Sequence, residues 1–155
     1  MTDTEYHCTS ALVATAAAYW TRKRRGPLLP GRADLDPGEM VAFLPHVILL
    51  DVLRDPLDFR YRLVGTTVED HMLRPYTGLR VRELDHQRPP SRVWTKFETA
   101  IAARRPVATR LPYVGPYREF VRVEDVVMPL ASDGIAVDML FIAIDFIRTG
   151  EPPED

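Results

Sequence analysis

At 155 residues, 46% of them hydrophobic, the chain is sized for one domain with a proper core, and its net charge of −2 supplies no global field to draw it to nucleic acid or an anionic membrane surface. Cys8 is the only cysteine, which excludes an intramolecular disulfide and a cysteine-built metal cluster and fits a reducing cytoplasm. The longest strongly apolar runs, Val47 to Leu50 and Met139 to Ile144, fall far short of the roughly 20 residues that cross a bilayer, and Asp3 and Glu5 stand where a signal peptide needs basic residues.

Residues 1–8 are expected to be disordered. From Thr9 to Arg25, Leu12, Ala16, Tyr19 and Lys23 recur at helical spacing in an alanine-rich segment, and Gly26 ends the helix. Arg22 to Arg25 complements the negative end of the helix dipole or meets an acidic partner. With Leu12, Tyr19 and Trp20 the helix has more apolar surface than a free arm exposes, so it packs on its own sheet or on a second copy of the molecule. Pro27 and Pro30 hold an extended connector, and Asp36, Pro37 and Glu39 read as the cap, first position and capping box of a short helix that stops near Leu44. Val47 to Leu53 reads as a strand covered on both faces.

After a tight turn, Phe59, Tyr61 and Leu63 alternate with Arg60 and Arg62, the pattern of a strand with one buried face. Gly65 breaks it, Thr66 and Glu69 form a capping-box pattern for a short helix, and Gly78 turns the chain again. Strand, short helix and glycine-marked loop together form the wall of a cup-shaped α+β domain. A longer helix from Ser91 to Arg104 carries the stripe Trp94, Phe97 and Ile101. Strands over Val107 to Val114, Glu119 to Leu130 and Ile135 to Arg148 follow, the last two joined by the hairpin signal Ser132, Asp133, Gly134. The last strand is apolar on both faces and is expected at the centre of the sheet. Residues 149–155, with an acidic, proline-bearing end, are expected to form a disordered tail.

The sequence blocks Tyr19-Trp20, Leu29 to Pro37, Leu44-Pro45-His46 leading into Ile48 to Asp51, Arg60 to Thr66, and Thr77-Gly78 occur in an order that resembles a bacterial family of stand-alone PAS-like proteins, over roughly Ala11 to Ile147. The resemblance implies an α+β, PAS-like fold: a five-stranded antiparallel sheet with helices on one face and an extra N-terminal helix on the other or swapped to a partner. It also implies a sensing or protein-interaction role, with dimerisation through that helix. It transfers no defined ligand.

The candidate cup lining is Tyr61, Met72, Tyr76, Trp94, Phe97, Arg110, Tyr113, Met128 and Ile144, read either as plain core or as a pocket for a small apolar molecule. Arg110 is the sharper test, because facing the cup it needs an acid or a ligand carboxylate, and in the other strand phase it points to solvent. Leu12, Ala16, Tyr19 and Trp20 are the candidate dimer interface. Neither haem nor flavin is expected: Cys8 precedes the domain, and His71 on a small helix reads as structural. His7, His46, His71 and His86 have no metal-ligand spacing. Asp51 and Asp138, in otherwise apolar strands, carry the alternative of a small isomerase- or hydrolase-like enzyme, or else pair with arginines across the sheet. No nucleophile, base and orienter stand at a recognisable spacing. The expected function is thus a cytoplasmic, homodimeric, non-enzymatic sensor or interaction module that acts on an unidentified regulatory protein, without nucleic acid or membrane. In it a ligand or partner shifts the packing of the N-terminal helix.

Overall fold

Strands apolar on both faces need cover on both, and the chain supplies it from a helix ahead of the first strand and from helices between the second and third. The computed structural model describes residues 9–150. In chain order its elements are α1 (Ala11–Lys23), β1 (Val47–Leu53), β2 (Asp58–Val64), α2 (Thr66–Asp70), α3 (Arg92–Ala103), β3 (Val107–Pro112), β4 (Phe120–Leu130) and β5 (Met139–Arg148), with short 3-10 turns between. The strands form one five-stranded sheet in the order β2-β1-β5-β4-β3, antiparallel at every step. The doubly apolar β5 is central, as its sequence requires. Cys8 and the rest of residues 1–8, and the tail from Glu151 to Asp155, lie outside the described residues.

Helix α1 lies on one face of the sheet. Ser10 caps it, its hydroxyl accepting from the Val13 N–H at 3.2 Å, and Val13, Ala16, Ala17, Tyr19 and Trp20 are buried beneath it. The helix is shorter than Thr9 to Arg25 because Thr9 and Ser10 donate instead to the Glu124 carboxylate of β4. The indole of Trp20 donates to the Pro129 carbonyl at 2.8 Å. Tyr19 donates to Glu39 and accepts from the Asp36 N–H, both at 2.9 Å. Ala16, Tyr19 and Trp20, expected at a dimer interface, are therefore used up within their own chain; Leu12 is half-buried.

The opposite face carries α2, the loop after it, and α3. Ser91 caps α3, accepting from the Trp94 N–H at 3.0 Å, and Trp94 and Phe97 are buried as the stripe predicts. Elsewhere local expectations yield to tertiary ones. The segment from Asp36 to Leu44 forms only 3-10 turns: Asp36 caps as expected, but Glu39 turns away to Lys23 and Tyr19 rather than closing a box. Thr66 is not a cap either. Gly65 holds that position, because a Cβ there would stand 2.2 Å from the Pro45 carbonyl oxygen. A bulge in the β1–β2 pairing places Tyr61 opposite Leu50 and Leu63 opposite Leu49, so Leu63 leaves the buried face of Phe59 and Tyr61 and is exposed. Strand β5 starts at Met139 rather than Ile135 because Asp133 accepts from the Ile135 and Ala136 N–H groups, tightening the turn. At its far end Thr149 still donates to the Glu119 carbonyl at 2.7 Å, so order extends past Arg148.

Candidate ligand-binding site

Between the sheet and its α2–α3 cover lies a cavity of about 500 Å³. Ile48, Ile142, Ile144 and Phe146 form its sheet wall, and Val68, Val93 and Phe97 its helical wall, with Met72 from the loop after α2 beside them. Leu73 and Val114, 89% and 96% exposed, lie at its rim. Solvent-facing aliphatic side chains beside a cavity form an apolar approach to it.

The loop after α2 and the β3–β4 hairpin meet beside this rim. The imidazole of His71 stacks on Phe146, ring centroids 3.7 Å apart and planes 9° from parallel. Its Nδ1 lies 2.8 Å from the Tyr113 hydroxyl. Burial lowers the pKa of His71 and raises that of Tyr113, so the bond joins an imidazole and a phenol that burial favours in their neutral forms. The same hydroxyl accepts from the Tyr117 N–H at 3.3 Å. Only glycine allows this arrangement at 115, since a Cβ there would meet the Tyr113 hydroxyl at 2.2 Å.

Deeper, Tyr61 donates to the Gln87 side-chain oxygen at 2.6 Å, and burial pushes its pKa well above the ordinary phenol range. Tyr76 packs against Tyr61 and bonds His86 at 3.0 Å. On the sheet wall Asp125 is buried, accepting from Lys96 of α3 at 2.5 Å and from the Thr109 hydroxyl at 2.5 Å.

Of the residues singled out from the sequence, Tyr61, Met72, Tyr76, Phe97, Tyr113 and Ile144 stand together on the cavity wall. Trp94, Arg110 and Met128 do not. Trp94 packs edge-on against Phe59 at 5.0 Å and lies under the Arg82 guanidinium. Arg110 is in register with Glu124, its Nε 4.0 Å from that carboxylate, so it takes the α1 face of the sheet rather than the cup. Met128, two positions after Val126 and four after Glu124 in the same strand, is fully buried on that same face. Asp51 pairs across the strands with Arg62 at 3.0 Å, and Asp138 braces the turn at Ser132. Neither is a cavity acid.

The acid that does face the cavity, Asp125, and its partner Lys96 were not singled out. Their signals were present: Glu124-Asp125 interrupts an apolar strand, and Lys96 falls at helical spacing from Val93 and Ala100, inside the buried stripe of α3. Among the described residues no group of three or more His, Cys, Asp or Glu side chains is placed to hold a metal ion.

A helix-covered, antiparallel five-stranded sheet around a cup is one observation; the sequence supplies the second. The profile of the PAS domain matches residues 8–141, from just ahead of α1 into β5. The chain belongs to the PAS domain family. No curated protein matches it in sequence. In this PAS domain the cup lies between the sheet and its α2–α3 cover, the N-terminal helix covers the opposite face of the sheet, and no helix of the described residues is long and apolar enough to cross a membrane.

Proposed function

We propose that this PAS domain is a sensor that binds a small, largely apolar molecule in its cup. The cavity carries the reading: about 500 Å³, walled by aliphatic and aromatic side chains with a few polar groups. That is the size and character of small-molecule sites, which run from about 300 to 1,000 Å³. Binding fits better than catalysis, because the groups with acid–base chemistry are tied to one another. Among the described residues Lys96 is held by Asp125, His71 by Tyr113 and His86 by Tyr76, so each is spent on a partner rather than aimed at a nucleophile.

Transmission follows from β4. Asp125 faces the cup and its neighbour Glu124 holds the start of α1, so a ligand that shifts the strand acts on the cap of the helix as well. The helix then reports occupancy by population shift to a regulatory protein. Pairing into a homodimer belongs to the same reading, supported by the family alone. Ala16, Tyr19 and Trp20 are not its surface.

Native mass spectrometry of the full chain beside its denatured mass tests the proposal. The expected result is extra mass that is lost on denaturation and missing from an Ile144→Trp variant whose indole fills the cup. A bare native mass, together with no binding of 2-acetylnaphthalene, 2-ethylnaphthalene or 2-naphthoate to the purified chain, overturns it; the same spectra read the oligomeric state.

A further inference from the structure

Resting on that reading, the geometry points to the ligand's chemistry: a neutral, largely apolar molecule bearing a carbonyl-type oxygen, which accepts a hydrogen bond from Lys96. The side chain of Lys96 is nine-tenths buried, with 10% exposed, and lies on the cavity wall. An ammonium has three N–H donors. Asp125 takes one at 2.5 Å, and among the described residues no acceptor takes the other two. Leaving buried donors unmet is costly, so an oxygen that meets them gains a hydrogen bond at little desolvation cost of its own.

A second group points the same way. Gln87 has its side-chain oxygen occupied by the Tyr61 hydroxyl, which leaves the amide's N–H₂ end as the free one on the cavity wall. Asp125, by contrast, already accepts from both Lys96 and Thr109. Around Lys96 and Gln87 the cup therefore offers donors, while the Asp125 carboxylate and the Gln87 oxygen are engaged.

Charge decides between a carbonyl and a carboxylate. Lys96 and Asp125 cancel one another, so an anionic ligand adds a net negative charge against Ile142, Ile144, Met72 and Phe97. A ketone, ester or amide oxygen takes the free hydrogens without adding charge.

The experiment titrates the purified full chain with three probes of one shape: 2-acetylnaphthalene, which has the acceptor; 2-ethylnaphthalene, which lacks it; and 2-naphthoate, which carries a charge. The expected order puts the ketone roughly tenfold or more ahead of the hydrocarbon, the effect of one hydrogen bond to a charged donor, with the naphthoate behind the ketone. In Lys96→Met the advantage of the ketone disappears while 2-ethylnaphthalene still binds. The charge-balanced double variant Lys96→Met with Asp125→Asn gives the same result should the single variant fail to fold. Equal affinity for ketone and hydrocarbon, a ketone preference that survives removal of Lys96, or tightest binding by naphthoate each overturns the inference while leaving the cup reading intact. Failure of all three probes to bind a native chain of bare mass overturns both; their failure on a chain that carries extra native mass overturns the inference alone.

Discussion

Glu124 and Asp125 are consecutive in β4, yet they occupy two different kinds of interior. Glu124 points toward α1 and is fully buried, where the Thr9 N–H at 2.6 Å, the Ser10 N–H at 3.2 Å, the Thr9 hydroxyl and the Arg122 guanidinium meet it. Asp125 points toward the cup and is almost as buried, but its partner Lys96 keeps donors to spare. On the α1 face the packing is filled by Trp20, Tyr19, Phe43 and Phe141; on the other it stops short and leaves about 500 Å³. One strand thus separates a face that specifies the fold from a face that is left incomplete. Incompleteness marks the working side.

The sharpest way to break this comparison is to hollow out the filled face. Trp20→Ala removes a fully buried indole and its bond to the Pro129 carbonyl. It should cost about 4 kcal/mol of folding stability, within the range for large-to-small core changes, as read by urea denaturation of the full chain. A loss below about 1 kcal/mol, the size of an ordinary surface-level effect, means that α1 does not close this face.

The two faces also differ in how they respond to acid. Burial by itself raises the pKa of Glu124, but the hydrogen bonds from Thr9 and Ser10 and the Arg122 guanidinium outweigh it and hold the carboxyl below its ordinary value. A folded-state pKa below the unfolded one means that the unfolded chain binds more protons. The contribution of Glu124 is therefore present above the unfolded value of about 4.3 and lost as pH falls through the folded one. His71 is lowered too, chiefly by burial on the cup side. Its contribution is present above about pH 6.5 and lost below it. Stability should fall in two stages on acidification. His71→Gln should remove the upper stage alone. Glu124→Gln should cost about 2 kcal/mol at neutral pH and converge on the wild type at the acid end. Chemical denaturation across pH 3 to 8 reads both, and a single stage unaffected by His71→Gln contradicts the assignment of the upper one.

How much of this was legible in the sequence varies by element. Strands β1 and β5 were legible because their runs are apolar on both faces, which calls for cover on both sides regardless of register, and β4 because a long run leads into the turn at Ser132, Asp133 and Gly134. Tyr61, Phe97 and Ile144 reach the cup from β2, α3 and β5, whose buried faces their spacing marks; Met72, Tyr76 and Tyr113 lie in the connecting segments beside them, where packing rather than periodicity aims the side chain. Arg110 went astray because β3 reads Val, Ala, Thr, Arg, Leu, Pro, and both alternations in it are plausible. Only the pairing of Arg110 with Glu124 and of Thr109 with Asp125 resolves the phase. Leu63 failed for a different reason, since a bulge is a property of two strands together and one strand's sequence does not announce it. The charged pair is less conspicuous in the sequence than Asp51 and Asp138, each a lone acid in an otherwise apolar run. Two adjacent acids in a strand must face opposite ways, so in a sheet covered on both sides each needs its own buried partner. Lys96, the only lysine besides Lys23, falls between Val93 and Ala100 at helical spacing, a signal that the stripe Trp94, Phe97 and Ile101 leaves out.

The smallest expected effect tests the incomplete face directly. Met72 is half-buried and lines a cavity that already exists, so truncating it enlarges a void instead of creating one. The usual cavity penalty is then largely absent, and Met72→Ala should cost about 1 kcal/mol or less, against 2 to 5 for a methionine in a filled core. Affinity should move more than stability. A wider cup loses contact with 2-ethylnaphthalene, while the preference for the ketone over the hydrocarbon stays, because Lys96 and Asp125 are untouched. A stability loss as large as that of Trp20→Ala would mean that Met72 belongs to the core in the same sense as the indole, and the contrast between the two faces of β4 would fail at that point.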